Sequence, residues 1–337
     1  MSSPPDARCG RKCRLELPRH SDWPTSVNAF PSVAVIDIGS NSIKILVAQR
    51  TGEGKLVSQF YKTLDARISA GISKAEPRLS AEGMTRGLAA IKELLVDAAT
   101  FTPVKTILVA TSAVRDAANG AEFRQRVFTE TGYGVRILSG DEEANLIGRG
   151  LTFDPALAGL RDFYLFDLGG GSLECLSFRD RTINQALSLQ LGCVRLTERC
   201  VSDSKKPFTP EARLRVSELA RENFTKSGFA FDLPTTAVTI GTGGTLTTAR
   251  AILAARENKT VDAIGSTVTV LQLRELLELI GSVDLEARRR IPGVPFGRAD
   301  VMPAALATFI ALAEFGGISA FINSLYNLRW GVADEAI

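Results

Sequence analysis

Histidine occurs once in this 337-residue chain, at His20, in a polar stretch. A single imidazole excludes a His-rich metal centre and leaves no material for a Ser-His-Asp triad elsewhere in the chain. Cysteine is also scarce. Cys9, Cys13, Cys175, Cys193 and Cys200 form an odd set at irregular spacing. No disulfide framework follows from them, which fits a reducing compartment, the cytoplasm. Cys9 and Cys13 would need a second pair to hold a metal, and none accompanies them. No apolar run reaches membrane-spanning length. The N-terminus is basic and proline-bearing, but no apolar stretch follows it, so it is not a secretory signal. Residues 1–31 read as a flexible tail or an over-extended start. A large excess of one charge is missing too. The net charge of +3 predicts neither a nucleic-acid nor a membrane partner.

The chain is 45% apolar and 23% charged, an ordinary soluble composition, and long enough for two domains that each bury a core. The strand Val33-Ala34-Val35-Ile36 ends at Asp37, turns through Gly39-Ser40-Asn41-Ser42, and returns as Ile43 to Ala48. The same phrase recurs 130 positions later: Phe163 to Phe166, then Asp167, Gly169-Gly170-Gly171-Ser172, and Leu173 to Phe178. Asp37 matches Asp167, Gly39 matches Gly169, and Ser42 matches Ser172. An internal repeat of this kind implies two related domains, each opening with a β-hairpin.

Between the copies, strand and helix alternate. Met84, Leu88, Ile91, Leu95 and Ala98 recur at helical spacing, with Ser80 as N-cap. Lys105 to Thr111 and Val135 to Leu138 read as strands, and Glu122 to Glu130 as a short helix stopped near Gly132. Further on, the strand Val238-Thr239-Ile240 runs into Gly241-Thr242-Gly243-Gly244-Thr245 and a helix over Leu246 to Arg256. Leu271 to Ile280 and Ala304 to Phe315 also read as helices. The alternation places the chain in the α/β class.

Three glycine-rich loops carry the chemistry. Each follows a strand, and glycine lets the backbone turn its N–H groups onto an anion. The third also opens a helix, whose N-terminus favours phosphate. None has the Gly-Lys-Ser/Thr of a Walker loop. Asp37 and Asp167 each close a strand beside a loop, where carboxylate oxygens suit magnesium. On the second hairpin, Glu174 shares a face with Ser172, since side chains alternate with period two. Its counterpart on the first hairpin is Lys44. One hairpin therefore offers a cation for phosphate and the other a carboxylate for metal. Ser139 and Glu142 have capping-box spacing, which leaves Glu143 free in the first helical turn as a candidate general base. Arg67, Arg115, Arg195 and Arg298 stand at element ends, and arginine suits bidentate phosphate contact.

These segments resemble a known family. Asp37-Ile38-Gly39-Ser40-Asn41-Ser42, Thr111 to Ala117, Ser139 to Ala144, Asp167 to Glu174, Gly192 to Leu196, Gly241 to Thr245 and Arg298-Ala299-Asp300 occur in that order. Together they resemble the exopolyphosphatase/guanosine pentaphosphatase (Ppx/GppA) family from about residue 33 to 334. The resemblance implies two ribonuclease-H-like domains around a cleft, the fold shared by actin, sugar kinases and heat-shock chaperones. The expected limits are 32–145 with 321–337 for one domain and 146–320 for the other. It implies Glu143 as catalytic base and Asp167 and Glu174, with Asp37, around magnesium. Phosphate contacts fall to Gly39, Ser40, Asn41, Ser42, Lys44, Arg67, Gly169, Gly170, Gly171, Ser172, Gly243, Gly244, Thr245 and Arg298. Two motifs depart from the family pattern. Arg-Leu-Gly appears as Arg67-Ile68-Ser69, and Leu-Arg-Glu-Gly appears as Leu328-Arg329-Trp330-Gly331, which bears on substrate choice.

The implied activity is release of terminal phosphate from polyphosphate or guanosine pentaphosphate. Arg288, Arg289 and Arg290 form a candidate track for a long chain. A homodimer is compatible with this reading. A small-molecule kinase and an actin-like ATP-binding protein share the superfold and stand as alternatives.

Overall fold

A computed structural model describes residues 30–72 and 76–337, so Cys9, Cys13 and His20 lie outside the described residues. The first apolar run forms β1 (Ser32–Ile38), buried along its whole length. It pairs antiparallel with β2 (Ser42–Arg50), which pairs antiparallel with β3 (Leu56–Asp65). Helix α1 (Ala81–Ala99) starts where Ser80 accepts a hydrogen bond from the N–H of Gly83. Then come β4 (Lys105–Ala110), α2 (Ser112–Arg115), α3 (Gly120–Thr131) and β5 (Val135–Ile137). Gly132 ends α3 in the left-handed conformation that glycine tolerates. Helix α4 (Gly140–Leu151) opens with the capping box of Ser139 and Glu142.

The second half repeats the plan: β6 (Phe163–Leu168), β7 (Leu173–Arg179), β8 (Thr182–Leu189), α5 (Cys193–Cys200), α6 (Pro210–Ser227), β9 (Val238–Thr242) and α7 (Gly244–Arg256). There follow β10 (Thr267–Thr269), α8 (Val270–Gly281), α9 (Leu285–Arg289), α10 (Met302–Gly316), β11 (Ala320–Asn323) and α11 (Leu328–Ala336). The first sheet has the order β3-β2-β1-β4-β5 and the second β10-β11-β9-β6-β7-β8. In each, three antiparallel strands are followed by two parallel neighbours: β1 with β4 and β4 with β5, then β6 with β9 and β9 with β11. The repeat read in the hairpins thus extends to the sheets.

Each sheet buries one face under its own helices. Ile36, Ile45, Ile91 and Phe123 belong to the first core, and Phe166, Leu246, Leu306 and Phe309 to the second. Helix α10 is buried from Met302 to Ala313, as a sequence apolar all round but for Thr308 requires. A third core lies between the sheets. There Val35, Leu46, Leu165 and Phe178 meet Ile147 of α4 and Leu328 and Trp330 of α11. Trp330 is buried and packs on Tyr326, with ring centroids 4.2 Å apart.

Three expectations need correction. Residues 320–323 pair with β9 and β10 in the second sheet, so the chain does not rejoin the first half at 321. The return is made by α11, which packs on α4, β1 and β2. The boundary at 145 falls inside α4, a continuous helix that packs on both α11 and the second sheet. Finally, Arg288 is not part of a surface track. It is buried and donates to the carbonyls of Ile280, Ser204 and Lys206. Arg289 is held by Glu286 and lies over the ring of Phe296, which leaves Arg290 alone of the three free of such ties among the described residues.

Candidate active site

The register of the two hairpins sets the site. Asp37 lies opposite Lys44 on the first, and Asp167 lies opposite Glu174 on the second. The two turns abut. A Cβ on Gly170 would stand 2.7 Å from Cβ of Ser40, and one on Gly171 would collide with the hydroxyls of Ser112 and Ser40. Only bare backbone allows this approach. The carbonyls of the second turn are bound from behind by α5: Cys193 N–H donates to Gly169 O at 3.0 Å and Val194 N–H to Gly170 O at 2.8 Å.

All three glycine loops open on one cavity of about 60 Å³. A water needs about 10–15 Å³ on this measure, so the space suits a few waters or one phosphate-sized anion. The first hairpin contributes Asp37, Gly39, Ser40, Asn41, Ser42 and Lys44, and the second Asp167, Gly169, Gly170, Ser172 and Glu174. Gly243, Gly244, Arg298 and Glu143 complete the residues expected from sequence. Three expected residues do not line it: Gly171, Thr245 and Arg67. Gly171 is spent on the contact between the turns. Thr245 is fully buried in α7. Arg67 pairs through both terminal nitrogens with Asp300, and its Nε and Nη2 donate to Asn41 Oδ1 at 3.1 and 3.0 Å. Its backbone sits at φ 41°, an uncommon conformation for a side-chain-bearing residue.

Sequence reasoning missed Thr111, Ser112 and Asn327, which also line the cavity. Thr111 and Ser112 stand in a motif already singled out, beside Arg115. Asn327 comes from the start of α11, and no local pattern marks it.

Burial dominates the electrostatics. Lys44 is lowered by loss of solvent, with Asp37 acting against this. Asp167 is raised by burial, opposed by Lys44. Glu174 is pushed up to about 7 by burial and by Asp167, while hydrogen bonds from Ser172 and Ser188 act to hold it down. Ser188 Oγ donates to Glu174 Oε1 at 2.8 Å. Glu143 is raised well above the ordinary carboxylate range by burial and then by Glu174, against Arg115. Arg115 Nη1 donates to Glu143 Oε2 at 2.9 Å. Arg329, on α11, is disfavoured as a cation by burial and supported by Asp37 and Asp167.

Asn41 Nδ2, Arg298 Nε and Asn327 Oδ1 are buried without a hydrogen-bond partner, and all three residues line the cavity. Buried polar atoms are rarely left so in a native protein, which points to a polar ligand there. The cavity's carboxylates, Asp37, Glu143, Asp167 and Glu174, outnumber its two lining cations, Lys44 and Arg298, so a bound polyanion calls for further positive charge. Asp37, Asp167 and Glu174 line the cavity, and carboxylate oxygens are the donor type that suits a divalent ion of the magnesium kind. They do not make an all-protein cage: no group of three or more His, Cys, Asp or Glu among the described residues is disposed to enclose a metal.

The model of the Ppx/GppA phosphatase family matches residues 46–337. The chain belongs to that family. Exopolyphosphatase 2 of Mycobacterium tuberculosis is 30% identical over 326 residues, covering 90% of this chain and 98% of the relative. The crystal structure of the Aquifex aeolicus Ppx/GppA family member is 26% identical with a TM-score of 0.72, covering 91% of this chain and 98% of that one. An exopolyphosphatase from Cytophaga hutchinsonii, 23% identical over 90% of this chain and 97% of its own, superposes with a TM-score of 0.81 and supports the shared fold. As a Ppx/GppA protein the chain is a hydrolase, and the kinase and filament readings are not favoured. No described helix is long and apolar enough to cross a membrane.

Proposed function

We propose that this Ppx/GppA protein is a divalent-cation-dependent exopolyphosphatase that removes the terminal phosphate of inorganic polyphosphate. The observation that carries the reading is the convergence of three glycine loops, Lys44, Arg298 and the Glu143 carboxylate on one cavity sized for a single phosphate. The terminal phosphoryl group sits against the loop N–H groups, with Lys44 and Arg298 balancing its charge. In phosphoryl transfer the protein's task is positioning and charge stabilisation more than covalent chemistry. Glu143 accepts a proton from a water whose oxygen bonds to the terminal phosphorus. The bond from that phosphorus to the bridging oxygen breaks, and the shortened chain leaves with the electron pair. Arg115 holds one oxygen of Glu143 and leaves the other for the water. Asp37, Asp167 and Glu174 would hold magnesium, which when bound supplies positive charge to the phosphate oxygens.

Guanosine pentaphosphate is the second reading, and one feature favours it. A cavity of about 340 Å³, lined in part by Arg67, Thr197, Ser202, Lys205 and Asp300, lies beyond the Arg67–Asp300 pair. That volume is within the range of small-molecule sites, which start near 300 Å³. Phosphate release with magnesium from long polyphosphate, guanosine pentaphosphate and ATP, measured in parallel, tests both readings. Highest kcat/KM on polyphosphate supports the first and on guanosine pentaphosphate the second. Release from ATP alone, or only with an added phosphate acceptor, contradicts both.

A further inference from the structure

An unbroken run of charged contacts joins Glu143 to the second glycine loop. Arg115 Nη1 donates to Glu143 Oε2 at 2.9 Å, and Arg115 Nε reaches Asp116 Oδ1 at 3.3 Å. The other oxygen of Asp116, Oδ2, accepts from Arg195 Nη2 at 2.7 Å. Arg195 Nε in turn donates to the carbonyl of Gly171 at 3.0 Å. Arg115 and Asp116 end α2 in the first half, and Arg195 lies on α5 in the second. The link is sheltered: the Arg195 side chain is 3% exposed and that of Asp116 is 16% exposed.

We propose that Asp116 is a positioning residue that aligns the proposed base with the phosphate grip across the two halves of the protein. One carboxylate oxygen sets Arg115 against Glu143, and the other, through Arg195, sets the second turn. The effect on the turn follows from peptide geometry. In a trans peptide the C=O of one residue and the N–H of the next point in opposite directions. Gly170 O is bound by the backbone of α5, and Gly171 O is bound by the Arg195 side chain. Tying these carbonyls toward α5 turns the N–H groups of Gly171 and Ser172 away from it, to the side where the first turn and the cavity lie. Among the described residues, the carbonyls of Gly169 and Gly170 accept from backbone N–H groups of α5, whereas that of Gly171 accepts from the Arg195 side chain, the group that Asp116 holds. A buried ion pair gains little stability over apolar packing of the same volume. What this pair fixes is direction.

The proposal rests on the reading of Glu143 as the base, and the test separates the two. Asp116→Asn keeps the volume but has one acceptor oxygen and one donor nitrogen, so it cannot serve two guanidinium groups. In phosphate release from long polyphosphate with magnesium, kcat should fall about tenfold or more, since small misplacements at a reacting centre cost up to about a hundredfold. KM should stay within about threefold, and the melting temperature should fall, because the substitution leaves Arg195 buried beside a neutral amide. Arg195→Lys, which loses the fork, should show the same split. The double variant should fall no further than the weaker single, because both act through one link. Asp116→Glu keeps both acceptors and should recover most of the lost kcat. A kcat for Asp116→Asn within twofold of the parent overturns the proposal. So do losses that multiply in the double variant, or an Asp116→Glu variant as slow as Asp116→Asn. If Glu143→Gln is inactive while Asp116→Asn is normal, only the role of Asp116 falls. If Glu143→Gln turns over normally, the reading of the base falls.

Discussion

Arg115 and Glu143 share a 2.9 Å hydrogen bond, yet the carboxyl remains raised well above its ordinary range. Burial is the first cause, Glu174 adds to it, and Arg115 opposes both. A base must be ionised to accept a proton, so activity should rise with pH, and the acidic limb of kcat should lie above the ordinary carboxylate range. Arg115→Met removes the opposing charge. It should move that limb further up and reduce kcat at neutral pH by roughly tenfold to a hundredfold. A kcat–pH profile checks this, and a limb that does not move counts against the contact.

Glu174 ties stability to pH. Its folded pKa of about 7 lies above the ordinary 4.5 of an unfolded glutamate. The folded state therefore binds the proton more tightly. The stabilisation is fully present below about pH 4.5 and is lost as pH rises through about 7. Without divalent ions the melting temperature should fall across this window, and the raised Asp167 works in the same direction. Glu174→Gln should melt higher than the parent on the alkaline side, by several degrees, with the gap closing toward acid. Thermal melts in chelator at the two ends of the window measure it. A gap that stays constant with pH contradicts the assignment.

The crossing of α4 and α11 depends on glycine. A Cβ on Gly150 would fall on the carbonyl oxygen of Asn327, and one on Gly331 on the carbonyl oxygen of Leu146. Backbone cannot yield as a side chain does. Gly150→Ala and Gly331→Ala should each cost about 1–3 kcal/mol, the usual range for overpacking. Gly159→Ala, with open space at its Cβ, should be near neutral. Urea midpoints compare the three. Since α4 carries Glu143 and Asn327 is the N-cap of α11, the two destabilised variants should also lose activity.

The basic triplet divides by burial. Arg288→Met deprives three carbonyls of their donor and should destabilise by about 1–3 kcal/mol. Arg290→Ala should leave stability unchanged and KM for long polyphosphate within about twofold. A large rise in that KM for Arg290→Ala would restore the surface track.

The sheets and the three loops were legible because they rest on local signals. Period-two apolar strands, turn glycines and hydroxyls, and a repeat at matching positions marked both hairpins, and the structure adds that Asp37 lies opposite Lys44 and Asp167 opposite Glu174. Ser80 and the Ser139–Glu142 box were likewise readable as caps. Helix α6 was passed over because its residues are mostly charged or polar, although Thr209 as cap and Pro210 in the first turn mark its start. The role of Arg67 was not readable, since its partner Asp300 is 233 positions away. Asn327 and Arg329 reach the site only through the packing of α11 on α4, a long-range event that no window of sequence contains.

The most direct test of the account is Glu143→Gln, assayed for magnesium-dependent phosphate release from polyphosphate and, on the same preparation, for polyphosphate binding. The amide keeps the shape and cannot take a proton from water. The account predicts turnover reduced by at least about a hundredfold, the scale of general-base catalysis, with binding retained. Turnover close to that of the parent would contradict it.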